Sequence, residues 1–305
     1  MRSLVATHSS SFVTIALVPE PTPAPDEVLV EVEAFSLNRP DLLYLQMPHS
    51  TFRPGIDFTG RVVKAAADGS GPPVGAFVLA HSPSGGGAAE RVAVSSRQVV
   101  VRPESLSVYQ AAALPLAGLV ALRLVREAGP LEGKNVLVTG VTGGVGHYVV
   151  ELAVSSGARV FAFASPEEPT DRLRELGAVL LSSLDAAPGL FDVVMESVGG
   201  ELFSEIVPRL APNSLVLWFG EASGKPIALD FFHFFPGHEA MTLRHFVYTH
   251  VPNADDRRDL EELVRLVIEG RLHPEIGRVS DWSEASDVFA QMQSRNLRGK
   301  AVLTV

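Results

Sequence analysis

The sequence contains no cysteine among its 305 residues. Disulfide bonds, thiolate nucleophiles and zinc or iron–sulfur sites with cysteine ligands are therefore excluded. Histidine is present, but His49, His81, His147 and His233 each lack a second ligand at metal-binding spacing. A buried or surface role is the more common one for such residues. The sequence therefore predicts a protein without a metal site.

The sequence also lacks a long apolar run. The longest, residues 111–122, contains Pro115 and is shorter than the roughly 20 residues that span a bilayer. The N-terminus has neither the basic start nor the apolar core of a signal peptide, because the run at 12–18 is followed by Pro19 and further prolines. We expect a cytoplasmic protein with no membrane partner.

Positive charge is scarce, and the formal net charge is −10. Such a chain repels phosphate backbones unless a local basic patch overcomes the field. The densest basic pair, Arg257 and Arg258, is flanked by five acidic residues between 255 and 262, which is typical of a solvated helix face. The sequence therefore predicts a small-molecule substrate and no nucleic-acid partner.

The apolar pattern changes near residue 111. Before it, short β-branched runs are broken by Gly and Pro, and Val28, Val30 and Val32 alternate with acidic residues as in a half-buried strand. After it, strands alternate with helices, which predicts a parallel sheet with helices on both faces. The predicted helices of this half are 111–127, 145–156, 169–176, 255–269 and 282–295, and its strands are 135–139, 159–164, 179–182, 193–196, 215–219, 242–248 and 300–305.

A glycine cluster follows the first of these strands. Glycine permits close approach of the backbone to a pyrophosphate and close packing of helix on strand, and the helix N-terminus attracts the anion. An ordinary glycine-rich turn is the alternative, but it rarely needs four glycines in seven positions. The residues predicted to bind a dinucleotide here are Thr139, Gly140, Thr142, Gly143, Gly144, Val145 and Gly146.

The end of the next strand indicates which dinucleotide binds. An acidic residue there would hold the adenosine ribose of NAD, whereas this strand ends on Ala164 and Ser165. Ser165 can donate a hydrogen bond to a 2′-phosphate, and Arg172 or Arg174 can supply charge, so NADP(H) is the predicted cofactor. Glu167 and Glu168 oppose this interpretation. Phe219 and Gly220, at the end of the strand 215–219, complete the predicted cofactor site.

Several stretches distributed over nearly the whole chain match one family in order. They resemble the zinc-independent quinone-oxidoreductase branch of the medium-chain dehydrogenase/reductases. The matching stretches are 34–41 (AFSLNRPD), 54–60 (PGIDFTG), 111–121, 136–146, 176–178 (LGA), 197–200 (SVGG), 273–276 (HPEI) and 299–302 (GKAV).

The resemblance implies an α/β protein with a GroES-like β-rich catalytic domain and a Rossmann domain with a doubly wound parallel sheet. The predicted boundaries are 1–112 for the first part of the substrate domain, 113–254 for the NADP(H)-binding domain and 255–305 for the return to the substrate domain. It also implies a homodimer formed through the strand near residues 242–248. Zinc-dependent relatives carry a cysteine near Ser36 and Leu37, and the family's usual 2′-phosphate lysine is replaced by Pro169.

Asn38 and Tyr44 fall where the family places the polar groups of its cleft, and they are the predicted catalytic residues. The amide of Asn38 can both donate and accept, and the Tyr44 hydroxyl can position substrate or relay a proton. The alternatives are a turn or capping amide for Asn38 and a core aromatic on a short helix for Tyr44. Asp41 is expected to be a helix-start residue.

The sequence and the resemblance favour an NADPH-dependent oxidoreductase that transfers hydride to a quinone or another α,β-unsaturated carbonyl compound without a metal. An enoyl-thioester reductase is the first alternative. An NADPH-binding sensor or structural protein with little turnover is the second. The substrate itself is set by loops around residues 46–53 and 231–240, whose shape the pattern does not predict.

Overall fold

The computed structural model describes residues 1–7 and 11–305. The chain forms two compact units. The first consists of Met1–Leu119 together with Asp255–Val305, and the second of Val120–Ala254. One division of the chain therefore falls between residues 119 and 120, and the other between residues 254 and 255.

The first unit is rich in β-structure, as the alternating pattern predicts. Its strands are β1 (Arg2–Ala6), β2 (Val13–Leu17), β3 (Glu27–Leu37), β4 (Asp57–Lys64), β5 (Phe77–His81), β6 (Arg91–Ser95), β7 (Val99–Val101), β14 (Ile276–Asp281) and β15 (Lys300–Thr304). Its helices are α1 (Arg39–Leu45), α2 (Val108–Ala113), α7 (Asp256–Ile268) and α8 (Ala285–Gln293), while α3 (Pro115–Glu127) begins in this unit and ends in the next.

The main sheet of the first unit joins the two ends of the chain. Its strand order is β14-β15-β3-β4-β5-β7, with β6 also paired to β3, and β1 and β2 form a separate two-stranded sheet. Strand β15 lies antiparallel to β3, with Ala301 opposite Leu37 and Thr304 opposite Ala34. Residues 255–305 therefore complete a sheet that the first hundred residues begin.

The second unit contains a six-stranded parallel sheet of order β10-β9-β8-β11-β12-β13. This is the doubly wound order, in which the direction of winding reverses between β8 and β11, the first and fourth strands of this unit in sequence. The predicted fold class is confirmed. The strands are β8 (Asn135–Val138), β9 (Arg159–Phe163), β10 (Val179–Leu181), β11 (Phe191–Glu196), β12 (Leu210–Trp218) and β13 (Thr242–His245), and the helices are α4 (Gly144–Ser155), α5 (Asp171–Glu175) and α6 (Glu201–Ile206).

Three elements differ from the predicted ones. The helix predicted at 111–127 is two helices, α2 and α3, that meet at Leu114, because Pro115 has no N–H and favours the first position of a new helix. The strand predicted at 242–248 ends at His245. Helix α6 was not predicted. In the described part of the chain, no helix is both long and apolar enough to cross a bilayer.

Helix α1 is fixed at its start by the buried carboxylate of Asp41. One oxygen accepts a hydrogen bond from the backbone N–H of Asn38 and the other from that of Gly55, both at 2.8 Å. Asp41 is therefore the helix-start residue that the sequence indicates. Burial raises the pKa of Asp41 to about 6, against the lowering effect of these hydrogen bonds. Nearby Asp57 acts in the same direction as burial, and Lys300 opposes it.

This pKa predicts a specific pH dependence of stability. A carboxyl group whose pKa is higher in the folded state binds its proton more tightly when folded, so its contribution to the free energy of unfolding is largest at low pH and is lost as pH rises through about 6. The difference in unfolding free energy between wild type and Asp41→Asn should therefore fall by about 2 kcal/mol from about pH 4 to about pH 7. Urea denaturation at each pH measures it.

Asp68→Asn is the matched control, because exposed Asp68 has its pKa lowered by hydrogen bonds from the hydroxyl and the N–H of Ser70. The difference in unfolding free energy between wild type and Asp68→Asn should therefore rise, and not fall, from about pH 4 to about pH 7. A wild-type minus Asp41→Asn difference that is level or rises with pH contradicts the raised pKa of Asp41.

Candidate functional site

The glycine cluster lies at the carboxyl end of β8, at the position where the winding of the parallel sheet reverses. Gly140 has φ +63°, and a Cβ there would lie 2.4 Å from Ser197 Oγ. A Cβ on Gly146 would lie 2.4 Å from the carbonyl oxygen of Gly140. The backbone of the turn therefore excludes a side chain at Gly146, and the positive φ disfavours one at Gly140.

Helix α4 begins at this turn without a side-chain cap. Its N-cap residue is Gly143, which has no side chain to accept from the first N–H groups of the helix. Gly144, Val145 and Gly146 occupy its first turn. Unsatisfied amides at the N-terminus of a twelve-residue helix, beside a strand end where winding reverses, fit the pyrophosphate of a dinucleotide.

The remaining cofactor residues predicted from strand ends follow β8 and β12, two strands of the parallel sheet that are separated by β11. Thr139 directly follows β8, and Phe219 and Gly220 directly follow β12. The Thr139 hydroxyl is buried and accepts a hydrogen bond from Ser197 N at 2.9 Å. Thr139 therefore connects the ends of β8 and β11 through its own side chain.

Glu196, the last residue of β11, is a buried carboxylate at this edge that the sequence analysis missed. It accepts hydrogen bonds from the N–H groups of Val198 at 2.7 Å and Gly199 at 2.9 Å, and from the Thr139 hydroxyl at 3.2 Å. Burial raises its pKa despite these donors. An acidic residue closing an apolar strand just before Val198-Gly199-Gly200 was the available signal.

The adenosine side of the site, at the end of β9, is acidic. Glu168 accepts from the Thr142 hydroxyl at 2.5 Å through one oxygen and from Ser165 N at 2.7 Å through the other. A hydrogen bond from the Ser165 hydroxyl lowers the pKa of Glu167. The backbone donor of Ser165 therefore serves a carboxylate, and not the open position that the predicted 2′-phosphate role requires.

The arginines of α5 do not compensate for these carboxylates. Arg172 is paired with Glu175 at 3.0 Å, and Arg174 with Asp171 at 3.2 Å. Ser165 and Arg172 are thus not arranged around an open 2′-phosphate position, because Ser165 is engaged with Glu168 and Arg172 with Glu175. The residues fit a dinucleotide at the pyrophosphate and do not fit an additional phosphate at the ribose.

In the first unit, Asn38 belongs to a buried polar cluster. Its Nδ2 donates to Asp57 Oδ2 at 2.9 Å, and its Oδ1 accepts a hydrogen bond from Lys300 Nζ. Lys300 also donates to Asp57 Oδ2 at 3.2 Å. Asn38 is also the N-cap residue of α1. The amide plane is thus fixed by a carboxylate on one side and an ammonium on the other.

Asp57 is the centre of this cluster. Its other carboxylate oxygen accepts from Leu116 N at 2.8 Å and lies 3.5 Å from His81 Nδ1. Burial alone would raise the pKa of Asp57, but the charge of Lys300 and the adjacent donors hold it below its ordinary value. Asp57 and Lys300 stand in two of the stretches that carried the resemblance, although sequence reasoning gave neither a role.

Tyr44 differs from Asn38 in being accessible. Its side chain is 38 % exposed and contacts the edge of Phe52, with 5.1 Å between ring centroids. Phe52 also lines a cavity of about 430 Å³, together with Arg53 and Ser84. This volume is in the range of small-molecule pockets, and part of its wall comes from the loop at residues 46–53.

The phenylalanines near residue 232 do not pack in the core. Phe231 is 70 % exposed and Phe232 75 %.

The described residues contain no group of three or more His, Asp or Glu side chains arranged to hold a metal ion.

Two family models match the chain. The alcohol dehydrogenase GroES-like domain matches residues 24–104, and the zinc-binding dehydrogenase model matches residues 171–303. The first lies in the β-rich unit, and this identifies that unit as GroES-like.

Curated relatives match the chain over most of its length. The chloroplast envelope quinone oxidoreductase homolog of Arabidopsis thaliana is 30 % identical over 94 % of this chain and 92 % of its own. The quinone oxidoreductase-like protein 2 of Bos taurus is 29 % identical over 95 % of this chain and 89 % of its own.

Solved structures share the fold. A mycobacterial protein complexed with NADPH has a TM-score of 0.88 at 22 % identity, covering 100 % of both chains. An NAD-dependent alcohol dehydrogenase has a TM-score of 0.86 at 25 % identity, again over 100 % of both. The CurK enoyl reductase has a TM-score of 0.86 at 24 % identity, over 99 % of this chain and 98 % of its own. With its paired GroES-like and doubly wound units and its full-length relatives, this chain belongs to the quinone-oxidoreductase-like medium-chain dehydrogenase/reductases.

Proposed function

We propose that this protein is an oxidoreductase that transfers hydride from a nicotinamide dinucleotide to a quinone or another α,β-unsaturated carbonyl compound. The observation that carries the proposal is the glycine turn at the end of β8, where Gly140 has a positive φ, Gly146 leaves no room for a Cβ, and α4 begins with unsatisfied amides. The names of the full-length relatives support the acceptor class.

The dinucleotide supplies the hydride when it is bound. The α4 amides would hold its pyrophosphate, and the Gly140 turn would give the backbone close access to it. Because the acceptor is a conjugated double bond, no Lewis acid is needed. The protein must supply a hydrogen-bond or proton donor that stabilises the negative charge developing on the carbonyl oxygen.

Tyr44 is the proposed proton donor, since its hydroxyl belongs to an accessible side chain beside a pocket-lining aromatic. Asn38 is the second proposed catalytic group. Lys300 and Asp57 fix its amide, which leaves one Nδ2 hydrogen to orient a substrate oxygen.

NADP(H) is the cofactor predicted from the sequence, and the mycobacterial neighbour was solved with NADPH, whereas the carboxylates at the end of β9 favour the unphosphorylated dinucleotide. The neighbour named as NAD-dependent indicates that this fold also serves the unphosphorylated dinucleotide. The hydride transfer we propose is the same with either.

An enoyl-thioester reductase is the second candidate, favoured by the structural similarity to the CurK enoyl reductase.

The homodimer and the cytoplasmic location stay predictions. Strand β13 is the edge of the six-stranded sheet, which is the surface that edge-to-edge pairing would use.

This proposal predicts that the purified protein oxidises NADH or NADPH in the presence of a small quinone or an enone. The loss of the near-ultraviolet absorbance of the reduced nicotinamide measures the reaction. Faster turnover of a crotonyl thioester would favour the enoyl-reductase candidate. Tight dinucleotide binding without turnover of any acceptor would contradict the proposed enzyme and favour a binding protein.

A further prediction concerns Tyr44→Phe. If Tyr44 donates the proton, kcat should fall roughly 100-fold while the Kd of the dinucleotide is unchanged, because only the transition state loses its donor. Tyr109→Phe, which removes the hydroxyl of an exposed tyrosine on α2, should leave kcat as it is. An unaltered kcat and pH profile in Tyr44→Phe would remove Tyr44 from the mechanism.

A further inference from the structure

The carboxylate of Glu168 connects two parts of the dinucleotide site. One oxygen accepts from Thr142 Oγ1, in the glycine turn, and the other from Ser165 N, just beyond the end of β9. The adenosine ribose of a dinucleotide in a doubly wound sheet lies at this second position, beside the glycine turn. Glu168 therefore faces the position where NADH presents a free 2′-hydroxyl and NADPH a phosphate.

We propose that Glu168 makes this site selective for NADH over NADPH. The proposal rests on the dinucleotide binding argued above and deepens it. The ribose 2′- and 3′-hydroxyls of NADH can donate to a carboxylate, whereas the 2′-phosphate of NADPH has only acceptors and a like charge. Two such charges repel even at the effective dielectric of a protein surface.

The surrounding charges strengthen this preference. Glu167 is exposed two residues beyond Ser165 and adds a second carboxylate near this position. Arg172 is held by Glu175, and Arg174 by Asp171. In contrast to a 2′-phosphate site, where donors and cations converge on an open position, here the donors converge on carboxylates.

The test measures binding alone, by fluorescence titration of the whole protein with NADH and NADPH, and by calorimetry with the fragments 5′-AMP and 2′,5′-ADP. We expect the wild-type Kd for NADPH to be at least about tenfold higher than for NADH, and the fragments to follow the same order. In Glu168→Gln, the ratio of the two Kd values should shrink by about tenfold, since the amide carries no charge and can donate to phosphate.

Glu132→Gln is the matched control. It removes the same charge from the same unit. Glu132, however, is exposed and lies before the amino-terminal end of β8, whereas the glycine turn follows the carboxyl end. The NADPH-to-NADH ratio of this variant should equal that of wild type. If both variants shift the ratio alike, general charge explains it and the specific role of Glu168 is overturned.

Ionic strength provides a test that needs no variant. Salt screens the repulsion between Glu168 and a 2′-phosphate, so the preference of the wild-type protein for NADH should weaken as salt is raised. A preference for NADPH, or for 2′,5′-ADP over 5′-AMP, overturns the proposal about Glu168 while leaving the proposed oxidoreductase intact. Absence of binding by all four nucleotides overturns both.

Discussion

The buried ion pair of Lys300 and Asp57 is the interaction on which the first unit depends. Both side chains are almost completely shielded from water, so neither charge is tolerable without the other. Lys300 is the first residue of the last strand and Asp57 is the first residue of β4, and together with Asn38 they form a hydrogen-bonded cluster in the interior. Removing one member of such a pair typically costs about 3–5 kcal/mol.

This cluster joins fold and chemistry in one place. Asp57 accepts from the backbone of Leu116 and lies near His81, so the same carboxylate that fixes the Asn38 amide also secures the segment leading into α3. A polar residue proposed for catalysis is thereby held in one orientation by groups that also hold the unit together. Preorganisation of this kind reduces the cost of ordering the group when substrate binds.

Most of the architecture follows from local patterns in the sequence. The alternation around Val30 and the strand–glycine–helix succession around Gly143 are short-range signals, and the structure has the elements they indicate. Pro115 shows the limit of periodicity, because the apolar spacing continues through it while the helix is interrupted.

The polar partners were harder to predict than the elements. Lys300 and Asn38 are 262 residues apart in sequence, and no local pattern connects them. The case of Glu168 is different, because the residue was noticed as unfavourable for NADP(H). Its direct contact with Thr142 depends on how the loop after β9 folds back on the glycine turn. Side-chain geometry of this kind depends on tertiary packing, which composition and periodicity do not encode.

The pairing of β15 with β3 has a consequence for the synthesis of the chain. The second unit occupies residues 120–254, so a ribosome completes it before it has made the strand that closes the first sheet. Until Lys300 emerges, β3 lacks its β15 neighbour, and Asp57 is without its counter-ion. The β-rich unit is therefore the later of the two to reach its final state, and its open sheet edge is the part of the nascent protein most exposed to non-native pairing.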